Sequence, residues 1–210
     1  TMSGSRRIEP RRRRNSVICT FAALLLVVIA NLASVQPAAS QQSPTATTKP
    51  APPEIAPRGQ RDIKEVTYGD WKKLCFTPGG AKTLCRTSIT GTFATGQVAI
   101  RLDIVERAGD ATARLQIFSP VGMYLQKPVK LTIGQGQPYS VPYTWCLTNA
   151  CIAGAAADPQ MIKEMTNGQS LRLEFVDSSL LTLTTSLPLG QFAAVYKGSP
   201  AQTFEQDIDE

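Results

Sequence analysis

The chemistry open to this chain begins with its sulfur. Cysteines stand at positions 19, 75, 85, 146 and 151, and the sequence contains no histidine. Thiols close disulfides, ligate metals or run thiol–disulfide exchange, and spacing separates these uses. Exchange wants Cys-x-x-Cys opening a helix, whereas Cys146 and Cys151 are farther apart and flank a short polar loop, Leu147-Thr148-Asn149-Ala150, at the end of a strand-like run. Structural zinc wants closely spaced C-x2-4-C pairs, and Cys75 to Cys85 is too open for that, so a four-thiolate site is the less favoured alternative. With Cys19 set apart in the leader described below, four cysteines admit three connectivities. A single hairpin closes each sequence-local pair, which favours Cys75–Cys85 and Cys146–Cys151 as disulfides.

The missing histidine removes the commonest general base, the serine–histidine pairing and the usual zinc triads. Ser-x-x-Lys, Gly-x-Ser-x-Gly and Walker-type loops are also absent from the sequence. Carboxylates at Asp70, Asp103, Glu106, Asp110, Glu174 and Asp177 could pair in space, but strand alternation puts several of them on solvated faces or turns, where they read as surface acids. Trp71 and Trp145, with Tyr68, Tyr139 and Tyr143, could form an exposed aromatic platform, although such residues more often lie in the core; Tyr139, Tyr143 and Trp145 are the candidate interaction surface. Lys72 and Lys73 read as a solvated strand end. No catalytic residue, cofactor site or metal site is assigned.

The elements that position these residues are strands. Tyr139, Val141, Tyr143 and Trp145 fall on alternate positions, so one strand is expected to deliver Cys146 to its turn, with Pro142 marking an edge or a bulge. Lys72–Cys75 and Lys82–Thr92 make a first hairpin around Pro78-Gly79-Gly80. Val98, Ile100, Leu102 and Ile104 alternate with Arg101 and Asp103, and Ala113, Leu115 and Ile117 alternate with Arg114 and Gln116, which predicts a hairpin with one wet face. Val129, Leu131 and Ile133 give a shorter strand; Leu171, Leu173 and Phe175, turning at Asp177-Ser178-Ser179 into Leu181, Leu183 and Thr185, give another hairpin. Asp158-Pro159 opens one short helix, which Gly168 ends, and the run from Leu187 to Tyr196 closes the domain as a last strand or a helical turn. The fold class expected is all-β: a mainly antiparallel, jelly-roll-like β-sandwich with one short helix, a closed β-barrel being the alternative.

Charge and composition divide the chain. Of 22 basic and 16 acidic residues, six basic and one acidic lie in residues 1–40, leaving sixteen and fifteen beyond them. The remainder is nearly neutral, which argues against a nucleic-acid partner. Arg11 to Arg14 precede the apolar run Val17 to Leu32, and Ala38-Ala39-Ser40 offers small residues for cleavage, so residues 1–40 read as a signal peptide. An uncleaved anchor is the rival reading, and the run is short of the ~20 residues a spanning helix wants. Residues 41–61, rich in Pro, Thr and Ala, read as a disordered linker; 62–198 as the disulfide-bonded domain; and 199–210 as an acidic flexible tail.

Gly69-Asp70-Trp71 followed by Cys75 and Cys85, then Phe118-Ser119-Pro120-Val121-Gly122 ahead of Leu125, resembles the opening and central segments of the invasion-associated locus B family of exported bacterial proteins. Cys146 and Cys151 are similar to its second cysteine pair, and Leu187 to Val195, with Gly190 and Phe192, to its closing segment; Gln191 between those two residues departs from the family's Gly-Phe step. The resemblance implies a periplasmic or outer-membrane-associated β protein of Gram-negative bacteria, in a family named for a member linked to host-cell invasion. It brings no catalytic residues and no cofactor. An envelope or host protein is the partner class it implies, with membrane contact only through an uncleaved leader. A periplasmic carbohydrate- or peptide-binding module, or a carboxylate-based glycan hydrolase, is the alternative.

Overall fold

The computed structural model describes residues 55–63 and 65–206. The expected signal peptide, residues 41–54 of the expected linker and the last four residues of the acidic tail lie outside the described residues.

Two sheets pack face to face. The larger has the order β13 (Gln202–Gln206), β3 (Lys72–Pro78), β4 (Leu84–Thr92), β5 (Val98–Arg107), β6 (Ala113–Ser119), β10 (Cys151–Ala157) and β9 (Tyr143–Cys146), with the short β2 (Thr67–Tyr68) also paired to β4. The smaller runs β1 (Gly59–Asp62), β12 (Leu181–Pro188), β11 (Ser170–Val176), β7 (Val129–Ile133) and β8 (Tyr139–Val141). Neither sheet closes into a barrel. Strands β3 to β6 form an antiparallel meander because each is joined to the next by a turn too short for a crossover.

Alternation builds the core. Ile100, Leu102 and Ile104 of β5 and Leu115 and Ile117 of β6 are fully buried, and they face Leu131 of β7 and Leu171, Leu173 and Phe175 of β11 in one apolar cluster. Each such side chain contributes about 1.5–3 kcal/mol of burial, which is what holds the two layers together. Val98 does not join them: a register shift at Gly91/Thr92 turns it outward, and it is 54% exposed.

Two short helices occur among the described residues: the one expected after Asp158-Pro159, and a second in the closing run, for which a strand was the other expectation. In α1 (Pro159–Asn167) the Asp158 carboxylate accepts from the Met161 N–H at 2.7 Å, and Met161 and Met165 turn inward. The closing segment is α2 (Phe192–Lys197), whose Phe192 is fully buried.

Both ends of the domain extend beyond the expected bounds. Gly59–Asp62, most of which the composition assigns to the linker, pairs in parallel with Leu181–Thr184. Gln202–Gln206, within the segment expected as a flexible tail, pairs in parallel with Leu74–Pro78. Neither segment shows apolar alternation, because each is held by backbone hydrogen bonds at a sheet edge and buries little side-chain surface, so periodicity gives no sign of it.

The strand expected over Tyr139–Cys146 is two strands in different sheets. Pro142 stands at the crossing: lacking an N–H it cannot extend the β8 ladder, and its carbonyl instead accepts from the Gly154 N–H at 2.9 Å as β9 begins. The chain therefore passes from the edge of one sheet to the edge of the other within a single residue.

Candidate interaction surface

The cysteines form two disulfides, Cys75–Cys85 and Cys146–Cys151. Each joins residues that are also direct register partners, across β3/β4 and across β9/β10. With all four sulfurs bonded to one another, a four-thiolate metal site has no ligands to draw on. Among the described residues no three His, Cys, Asp or Glu side chains converge as a metal site would require.

The three aromatic residues proposed as one surface separate at Pro142. Tyr139 is half-buried, and its hydroxyl donates to Glu164 Oε2 of α1 at 2.9 Å, fastening β8 to the helix. Tyr143 packs against the core, and desolvation of its phenol pushes its pKa up to about 12. Trp145 alone faces water, at 59% exposure. Among the described residues its strand has β10 on one side and no strand on the other, and Leu147 N–H to Ala150 C=O at 2.7 Å closes the loop below it.

Trp71 is buried, edge-on to Phe192 at 4.8 Å, and its indole N–H donates to the Pro188 carbonyl at 2.8 Å. Tyr68 donates or accepts with Thr185 Oγ1 at 2.7 Å. Lys72 is exposed, but Lys73 is not the solvated residue the sequence suggests. Its ammonium donates to the carbonyls of Tyr196 at 2.7 Å and Gly198 at 3.4 Å, where the free carbonyls of α2 carry partial negative charge.

The acids do not pair with one another. Asp70 accepts from Gln191, Glu106 lies 3.8 Å from Lys73, Asp110 lies 3.9 Å from Lys82, Glu174 binds Arg172, and Asp177 accepts from the backbone of its own turn. A cavity of about 390 Å³ opens between the layers beside Ile100, Met123, Phe175 and Leu183. Its lining includes one acid, Asp62, which is committed to the Thr184 hydroxyl.

Asp103 departs furthest from expectation. It lies on the outer face of the larger sheet, yet it is 1% exposed, because arginines fold over it. Arg101 Nε stands 3.2 Å from its carboxylate, and burial raises the Asp103 pKa against the opposing pull of Arg101 and Arg86. The Arg101 guanidinium in turn lies 3.8 Å over the Phe118 ring.

Cross-strand register shows how these residues join. Arg101, Phe118, Ile152 and Trp145 occupy one row across β5, β6, β10 and β9, so the exposed indole continues a line that starts at the arginine. Beside that row a trough of about 400 Å³ is lined by Val98, Phe118, Pro120 and Leu147. The sequence shows Arg101 pointing outward, but its place in one row with Phe118 and Trp145 depends on registers between strands distant in sequence.

The chain can be set beside known proteins on this geometry. A family model described as invasion associated locus B (IalB) protein matches residues 71–200. The chain is similar in fold to invasion associated protein B from Bartonella henselae, with 21% identity over 62% of this chain and 90% of that one and a TM-score of 0.55. No curated protein matches it.

Proposed function

Because the chain belongs to the invasion associated locus B family, we propose that it is an exported, non-enzymatic envelope protein that works by docking a partner on the outer face of its larger sheet. Export is supported by two disulfides, which persist in oxidising compartments outside the cytoplasm. A role without catalysis is supported by the absence of histidine and by the dispersed carboxylates, each engaged in its own contact. The periplasm, or the outer membrane facing a host cell, is the location this reading assigns.

The observation that carries the reading is the row Arg101–Phe118–Ile152–Trp145, which ends in an indole exposed at the rim of a disulfide-held edge strand. A large aromatic side chain costs little conformational entropy to immobilise, and such residues dominate the energetics of interfaces. A photo-cross-linking amino acid at position 145 is expected to capture a discrete envelope or host component, while the same group at Lys130 on the smaller sheet captures none of it. Equal labelling from both positions would sink the docking reading.

A glycan hydrolase would need two carboxylates about 5–10 Å apart flanking a cleft. The cavity between the layers offers Asp62 alone among its lining acids.

A further inference from the structure

We propose that the outer face of the larger sheet binds a linear acidic polysaccharide, one carrying sulfate or carboxylate groups. This rests on the docking reading above and names the chemistry of the partner.

The strands of this sheet sort their charges by face. Register partners share a face, so Lys72, Arg86, Arg101, Arg107 and Arg114 point outward together with Asp103. Among the described residues of these strands, Asp103 is the one outward carboxylate. Beyond residue 40 basic and acidic side chains are nearly equal in number, so five cations against one acid is a segregation rather than an average. A face of this kind concentrates positive potential and attracts an anion of matching extent.

The arginines also have an orientation. Along β5 and its two neighbours, Arg107 is followed by Arg86 and Arg114 flanking Val105, and then by Arg101 beyond Asp103. At about 3.4 Å per residue, this makes a strip of about 20 Å, with the Arg107 and Arg86/Arg114 positions about 7 Å apart and Arg101 about 14 Å further on, past Asp103. A guanidinium presents a planar fork that matches sulfate and carboxylate in two hydrogen bonds. Arg86 and Arg101 attend the Asp103 carboxylate, while Arg107 and Arg114 are exposed and present their guanidinium groups to solvent. Phe118 and Trp145 lie on the flanking row, where aromatic rings suit the apolar faces of sugar rings.

An anionic membrane presents similar charge but a different shape. Neighbouring strands in a sheet rotate by about 20–25° on average, so a face running across the seven strands of this sheet is expected to be twisted rather than flat. A linear polymer follows the strip, and a flat bilayer does not.

The test titrates the full, disulfide-intact chain with a heparin oligosaccharide, in parallel with phosphatidylglycerol vesicles. Heparin is expected to bind, more weakly as salt is raised. The variant Arg107→Gln/Arg114→Gln changes two exposed side chains and is expected to weaken binding about tenfold or more, while Arg172→Gln on the smaller sheet leaves it unchanged. Absent binding, insensitivity to salt, or equal affinity in both variants overturns the proposal. Vesicle binding that heparin does not displace overturns it in favour of a membrane. Specific cross-linking at position 145 without heparin binding also overturns it, and leaves the docking reading standing.

Discussion

The guanidinium of Arg101 lies 3.8 Å over the ring of Phe118, its register partner on the next strand, and stands 3.2 Å from the Asp103 carboxylate two residues along its own strand. The ring, the cation and the anion form one stack on the outer face. Phe118→Ala removes the platform under the cation and is expected to lower the stability of the domain by about 1–2 kcal/mol, the range of a partly desolvated cation–π contact plus some lost burial. Phe118→Tyr, which keeps the ring, is expected to stay near the native value. Urea midpoints at unchanged slope check both.

Asp103 makes stability depend on pH in a defined direction. Burial raises its pKa in the folded chain, so between the ordinary aspartate value of about 3.9 and the raised value the folded state binds more protons than the unfolded one. Its contribution is therefore most favourable below the ordinary value and is lost as pH rises through the raised one. Against Asp103→Asn, which cannot titrate, the native chain is expected to gain relative stability as pH falls from neutral to about 4 and to level off below that. Thermal melts of the two proteins over that range decide it; a relative loss on acidification would show the arginines outweigh burial.

The hydrogen bond from Trp71 to the Pro188 carbonyl spans 117 residues and ties the start of β3 to the end of β12. Trp71→Phe keeps an aromatic edge for Phe192 but leaves that carbonyl without this donor. The expected cost is about 1–3 kcal/mol, that of an unsatisfied buried acceptor. A melting temperature unchanged from the native one would mean that water reaches Pro188 and replaces the indole.

The sequence pattern was informative where side chains alternate and uninformative where the backbone alone decides. Strands β5, β6, β7, β11 and β12 each carry an apolar residue at every second position over part of their length, and period two located them. Strands β1 and β13 are edge strands with solvated side chains and left no such trace. Tyr139 to Trp145 kept its alternation across Pro142 although the chain changes sheets there, because periodicity records facing and not which sheet is faced. The disulfides were accessible because each closes a local turn. The arginine strip was not, because Arg86, Arg101 and Arg114 meet only once three strands are in register.

Gly168 shows a related limit. Its position after α1 suggests a helix-ending glycine, yet its φ of −79° is one that any residue adopts. Space is what requires glycine there: a Cβ would stand 2.9 Å from Ile133 Cγ2, 3.0 Å from the Glu164 carbonyl oxygen and 3.0 Å from Leu189 Cδ1. Gly168→Ala is expected to destabilise by about 1–3 kcal/mol through overpacking. Shortening a neighbour, as in Gly168→Ala/Leu189→Val, is expected to recover part of the loss, whereas a backbone-strain effect would not respond to that change.

The two disulfides have similar loop-entropy contributions but different settings, and their removal is expected to separate stability from docking. Their residues are 10 and 5 positions apart, so loop entropy assigns each about 2–3 kcal/mol. Cys75–Cys85 lies between β3 and β4, which are also held by β13 and β5 on their other sides, so Cys75→Ser/Cys85→Ser should lower the melting temperature while leaving Trp145 in place. Cys146–Cys151 fastens a four-residue strand that has a single neighbour among the described residues, and that strand carries the exposed indole. Cys146→Ser/Cys151→Ser should therefore abolish selective cross-linking at position 145 at temperatures where the domain is still folded. Hydrogen exchange should show increased opening confined to residues 143–152. If this second variant keeps its cross-link, the clip is not what presents the edge; Thr144 Oγ1, which donates to the Ile152 carbonyl at 3.0 Å, is then the contact that holds β9 in place.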